Sequence, residues 1–489
     1  MSIYLKIKNS IAIQKINKFL ASEWFLVAMA VLTIITNIFS LELYAYSFII
    51  ICALYVCVFH KDFLPIVSFP IFAYIMPSKK NNPGKSESSI FYQYGVLMLC
   101  LVGIFLVAFV VRMCLDKEIG FKKMFKTKRK LLLGMVILGL AYLISGIFSA
   151  NYKQLALRNI FFAFLQFASI TVFYFIFTST IKWKSVNKRF VGFLGLSVAM
   201  ALVGEILGIY LTTEGIISGG KINRGEIYLG WGQYNNIAAL VVMTIPFIFY
   251  LATTQKNGYI YNILAQIVMI ALVFTNSRNA ITVGLLIYVI STIIMLTRKT
   301  NRKANLIVFV CIITIVVLLL ILIGNLWSNL FNSILTLNAK EDSRWGIYKH
   351  AIQEFLKNPI LGKTFYFVEG EYMPFEWSSI EALRSFLPPR WHNTPLQLLV
   401  SCGVVGLVAY LFHRYQTIML LIKKRSLSNM AIALSILALI LTSLLDCHFF
   451  NIGPVLMYSI LLAFAEKGQE NSIEKNGNET EQSKAEQNL

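Results

Sequence analysis

Three polar turns in this chain hold residue types that could act on a phosphorylated substrate. The first is Thr275-Asn276-Ser277-Arg278-Asn279. The second is Asp342-Ser343-Arg344, and the third is Arg390-Trp391-His392-Asn393-Thr394-Pro395. A guanidinium grips phosphate oxygens in a bidentate fork, so Arg278 and Arg344 are candidate diphosphate ligands. An apolar run begins just after Ser277, and another begins at Pro395 with Thr394 as a natural N-cap. Helix amino termini offer free N–H groups and partial positive charge, which favour anions. His392 beside such a site could take a proton from a hydroxyl nucleophile near neutral pH.

Each residue also has a plainer reading. Arg278 could be an interfacial arginine snorkelling to headgroups, and Arg344 could pair at the surface with Glu341 or Asp342. A loop histidine such as His392 is often only solvated or capping. Glu205 lies near one end of an apolar run, where an acid is costly in lipid and belongs in the protein interior or a cavity. Its plain reading is a neutral acid hydrogen-bonded to a neighbouring helix. Arg224, in the polar stretch 212–236, and Asp446 and His448, after a late apolar run, are further candidates.

The elements that must position these turns are membrane spans. Hydrophobic residues make up 57% and charged residues 14%, with a mean hydropathy of +0.69. A soluble surface needs roughly a quarter charged residues. Apolar runs of about twenty residues, long enough to cross ~30 Å of hydrocarbon as helices, recur at 24–41, 43–59, 63–77, 90–112, 131–150, 160–181, 190–211, 237–252, 259–275, 279–297, 306–326, 396–416, 430–446 and 450–466. Nothing alternates like a barrel strand. The fold class expected is all-α, a polytopic helical bundle of about fourteen spans with one large extracytoplasmic loop. The third run is short and holds Pro65 and Pro70, so a re-entrant hairpin is a second reading of it.

The net charge of +21 falls in short basic segments, among them Lys122–Lys130, Lys182–Arg189, Arg298–Lys303 and Lys423–Arg425. That is the positive-inside pattern and argues for no nucleic acid partner. Both termini are then cytoplasmic, and the three polar turns face outward. The seven cysteines have no paired spacing and read as small apolar residues. No cleavable signal peptide is expected, because the first run lacks a small-residue cleavage site.

The organisation expected is a basic cytoplasmic amino terminus (1–23), a bundle of about eleven spans (24–326), an extracytoplasmic loop (327–395), the last spans (396–466) and a disordered polar cytoplasmic tail (467–489). Within the loop, Trp345, Tyr348, Ile352, Phe355 and Leu356 recur at helical spacing, ended by Asn358-Pro359. This is an amphipathic helix lying over the bundle or in the headgroup plane. An aromatic stretch follows, Phe365 to Trp377, which reads as an interfacial belt or a sugar platform.

The Asn276-Ser277-Arg278 turn, Arg344-Trp345 followed by Asn358-Pro359 and Gly362, and His392-Asn393 leading to Leu396, Gly403 and Gly406 together resemble the O-antigen ligase and polymerase superfamily of membrane glycosyltransferases, the Wzy/WaaL type. The resemblance covers roughly 224–412. It implies an inverting, metal-independent glycosyl transfer on the outer face of a bacterial cytoplasmic membrane, with no cofactor. The donor implied is a glycan on undecaprenyl diphosphate. The family's diphosphate-binding arginines correspond to Arg278 and Arg344, its acceptor-side histidine to His392, and Arg224 is a third arginine whose surroundings match poorly. The function expected is polymerisation of lipid-linked repeat units. A ligase transferring finished polymer is the near alternative, and a transporter or flippase the alternative of another class. The enzyme works alone or beside a flippase and a chain-length regulator, two arrangements the sequence does not separate. Glu369 and Glu371 are weak metal candidates.

Overall fold

A computed structural model describes residues 10–78, 94–148, 156–183, 186–187, 189–214, 216–218, 221–222, 226–230, 232–298, 300–322, 344–362, 391–423 and 426–467. The chain is a multi-pass helical protein. Its first half comprises α1 (Ile11–Leu20), α2 (Glu23–Phe39), α3 (Glu42–Phe59), a 3-10 turn (Leu64–Ser68) running into α4 (Phe69–Ile75), α5 (Gly95–Leu115), α6 (Phe121–Lys126) and α7 (Leu132–Phe148). Next come α8 (Ala156–Phe167) and α9 (Phe173–Thr180), joined through a π turn, and α10 (Arg189–Thr212). The second half holds α11 (Tyr234–Thr254), α12 (Gly258–Phe274), α13 (Arg278–Thr297), α14 (Arg302–Leu322), α15 (Arg344–Lys357), α16 (Thr394–Ile422) and α17 (Leu427–Ser443), then a last helix, α18, over 452–467. Among the described residues the strands are two-residue antiparallel pairs between α10 and α11, with Ile217 opposite Ile222 and Tyr228 opposite Gln233.

Inside lipid a helix is the only open-ended structure that satisfies its own backbone, and these runs of Leu, Ile, Val and Phe carry nothing that competes with it. Among the described residues, seven helices are long and apolar enough to cross a membrane, or eight when α1 and α2, bent by 69°, count as one span. The fourteen apolar runs therefore include shorter helices, such as α7, α12 and α17.

The third run is not a hairpin. Phe63 N donates to Thr180 O at its start, and at its end Ser78 N donates to the Glu42 carboxylate at 2.8 Å. Glu42 opens α3 and His60 follows its close, so the run travels the whole length of α3. Asn37 Nδ2, late in α2, donates to Pro77 O at 3.1 Å and fixes the same end.

Polar groups divide the bundle into two ends. At the basic end Arg112 pairs with Asp116 at 2.8 Å. Asp62 there lies 3.3 Å from the His60 ring and accepts from the backbone N–H groups of Leu64 and Lys182. Glu466, near the close of α18, accepts from Lys130 N and from the Tyr174 hydroxyl. The opposite, far end carries the starts of α11, α13 and α16 and the residues around 446. At the centre stands α11, with α10, α12, α13 and α17 packed around it.

The amphipathic helix α15 forms as the spacing requires, but it does not lie flat over the bundle. Ile347, Ala351, Tyr348 and Phe355 pack on Trp391, Leu396 and Val400, so α15 runs beside the outer half of α16 and in the same direction. Its tip then docks where α16 breaks. Gly403 has φ 64° and ψ −163°, a conformation essentially reserved for glycine. Freed by that break, Val404 N donates to Pro359 O at 2.8 Å and Val405 N to Ile360 O at 3.3 Å. Gly362, at φ 76°, lets the turn close against the Ser401 backbone. The loop 359–362 thus caps the second half of a broken helix.

Candidate active site

The far end is held together by asparagines. Asn393, not Thr394, is the N-cap of α16: its side chain accepts from Leu396 N at 2.9 Å and donates to Leu444 O at 2.9 Å. Thr394 sits one residue inside the helix and donates instead to Asp446 O at 3.2 Å. An Asn there reaches both ways because its amide carries the acceptor and the donor on separate atoms. At the start of α13, Asn279 Nδ2 donates to Thr442 O at 2.7 Å, and Ser277 Oγ donates to Asn235 Oδ1 at 2.7 Å. One neighbour of each of Arg278 and His392, Asn279 and Asn393, therefore fastens to the stretch 442–446, which closes α17 and runs just beyond it.

His392 follows the buried Trp391 and adopts φ 47°. Asn276, in the other turn, has φ 51°. A left-handed backbone at a non-glycine residue is uncommon and clusters where function demands a fixed geometry. The His392 carbonyl accepts from the Tyr348 hydroxyl of α15 at 3.1 Å, so the amphipathic helix steadies this turn. Its side chain is half-buried, and Nδ1 lies 3.7 Å from Asp446 Oδ1. Asp446 is buried and accepts from Cys447 N at 2.7 Å.

Behind Asp446 lies a further buried polar group. His448 Nδ1 is 3.3 Å from Asn236 Oδ1, and Asn236 and Asn451 exchange side-chain hydrogen bonds. Gln397 Oε1 accepts from Trp391 N at 3.1 Å. These residues lie at the start of α11, in the first turns of α16 and just before α18. Asn236, Asn451 and Gln397 escaped the sequence reading. The available signal was an Asn pair opening one apolar run and a lone Asn interrupting another, since buried amides must be matched with one another.

Of the residues singled out from the sequence, His392, Asp446 and His448 meet in one region, and Arg278 joins through its neighbours. Arg278 is exposed as the first residue of α13 and makes no ion pair with any described residue. Arg344 opens α15, whose next turns reach the His392 turn. Arg224, Glu369, Glu371, the aromatic stretch 365–377 and the tail beyond 467 lie outside the described residues. Glu205 is fully buried in α10, as an acid at that depth must be. Neither of its oxygens has a hydrogen-bond partner among the described residues.

The far end thus gathers the amino ends of α11, α13 and α16, an exposed arginine, and a half-buried histidine beside a buried carboxylate. Residues 263–411, from α12 into the second half of α16, match the family model described as O-antigen ligase. Over that stretch the chain is similar to the O-antigen ligase/polymerase type. The chain is a multi-pass membrane protein, and the matched stretch supports a role in polysaccharide synthesis. No curated protein matches it. The matched stretch includes Arg278, Arg344 and His392, while Asp446 and His448 come after it.

Proposed function

We propose that the far-end site transfers a glycan from undecaprenyl diphosphate to a sugar hydroxyl, with inversion and without a metal, and so polymerises lipid-linked repeat units at the outer face of a bacterial cytoplasmic membrane. His392 takes the proton of the acceptor hydroxyl, whose oxygen attacks the anomeric carbon from the face opposite the diphosphate. The bond from that carbon to the diphosphate oxygen breaks, and the diphosphate leaves as an anion. Arg278 and Arg344, with the amino ends of α13 and α16, neutralise the charge that develops there. Asp446 beside Nδ1 favours the tautomer with the proton on Nδ1, which leaves Nε2 as the base.

The observation that carries the reading is the attachment of both the Arg278 and His392 turns to residues 442–446, with a buried carboxylate 3.7 Å from the histidine. Cells lacking the protein should accumulate lipid-linked single repeats. Wild type should clear them, and His392→Ala should lower turnover by ~10²–10⁴-fold at normal protein level, as loss of a general base does. Full polymer synthesis by both His392→Ala and Arg278→Ala would defeat the assignment. Accumulated full-length lipid-linked polymer would make the enzyme a ligase, and an unchanged glycan profile would favour transport.

A further inference from the structure

Arg414 lies in the second half of α16, beyond the residues matched by the family model. Only 6% of it is exposed, and the neighbouring His413, Phe449 and Tyr458 are fully enclosed. Its guanidinium carbon sits 3.9 Å from the centre of the Phe449 ring, 4.7 Å from Tyr410 and 5.0 Å from Tyr458. Nη1 donates to the Tyr458 hydroxyl at 3.2 Å, and that hydroxyl also meets His413 Nε2 at 2.7 Å and Thr417 Oγ1 at 3.2 Å.

The aromatic rings attract the cation through their faces, but they accept none of its N–H hydrogens strongly. Nε and Nη2 are buried and have no hydrogen-bond partner among the described residues, and Arg414 forms no ion pair with a described carboxylate. An arginine cannot shed its proton to escape this, and a charge buried without a counter-charge is strongly disfavoured. The two unmet nitrogens are also the pair that forms one side of the guanidinium fork, the edge that receives an anion bidentately.

We propose that a small anion of the chloride class occupies the Nε–Nη2 edge of Arg414 inside the bundle. The enclosure suits a compact inorganic ion and not a lipid diphosphate, so this site is separate from the far-end site and does not rest on its assignment. The bound anion makes Arg414 one half of an internal ion pair that fastens α16 to the 448–450 turn and to α18.

The test is thermal unfolding of the purified full-length protein in detergent, with chloride replacing gluconate at constant ionic strength. The wild-type midpoint should rise with the logarithm of chloride concentration, and Arg414→Gln should abolish the dependence. No chloride dependence in wild type, or an equal dependence in Arg414→Gln, overturns the proposal. If Arg414→Gln does not fold, a crystal of wild type grown with bromide decides: an anomalous peak bonded to Nε and Nη2 supports the site, and water alone there refutes it.

Discussion

Gly403→Ala should unfasten the loop tip from α16. At φ 64° and ψ −163° the backbone occupies a region that costs a residue with a Cβ ~1–3 kcal/mol. The new Cβ would also stand 2.2 Å from Ile360 O and 2.3 Å from Ile360 C, both backbone atoms that no rotamer change can move aside. Displacing that turn breaks the bonds from Val404 N and Val405 N, worth ~0.5–1.5 kcal/mol each. The sum is about 4 kcal/mol, close to three decades in the docking equilibrium. Hydrogen exchange of the Val404 and Val405 amides reads this directly: slow in wild type, it should accelerate by ~10²–10³-fold, with a lower unfolding midpoint. Gly346→Ala is the control, because a Cβ there meets no atom within 4 Å. Wild-type exchange and an unchanged midpoint in Gly403→Ala would refute the account of the break.

Asn393→Ala should cost about 2 kcal/mol, roughly half from the lost cap of α16 and half from the lost bond to Leu444 O. Asn393→Asp keeps the cap and should fall between, so equal midpoints for Ala and Asp would dismiss the capping role. Burial pushes the Asp62 carboxyl up, but His60 and the N–H groups of Leu64 and Lys182 together hold it below the usual carboxylate range. A lowered folded pKa gives stability that is present above the unfolded value, near ~3.9, and is lost as pH falls through the folded value. Asp62→Asn should flatten that acid limb of the unfolding midpoint, and an unaltered pH profile would discount the interaction.

Much of this architecture was legible from apolar runs. The runs at 259–275 and 279–297 correspond to Gly258–Phe274 and Arg278–Thr297, because lipid-compatible composition and helical backbone satisfaction are the same requirement. The turns bearing Arg278 and His392 were legible too, since polar residues cannot hide in such a composition. What escaped depends on neighbours. Thr394 is as good a cap by type as Asn393, and only the 442–446 turn decides between them. The run 396–416 reads as one span, yet Gly403 breaks it, and a glycine in an apolar run looks the same whether it bends the chain or merely packs. The burial of Arg414 needed Phe449 and Tyr458 from distant positions beside Tyr410 one turn back.

The enclosure of α11 bears on which substitutions this helix can accept. In its most apolar stretch 94% of residues are buried, against 6% for α5, although both sequences are apolar enough to cross a membrane. Moving a side chain from lipid tails to protein gains nothing from water exclusion, so shape alone holds α11 in place. A Cβ on Gly195 would lie 2.5 Å from the Phe247 Cβ, and one on Gly284 would lie 3.3 Å from Val242. An exchange of equal oiliness but different outline should therefore pass unnoticed in α5 and jam in α11. For the central helix, volume and branching are the inherited information, and greasiness is only the entry ticket.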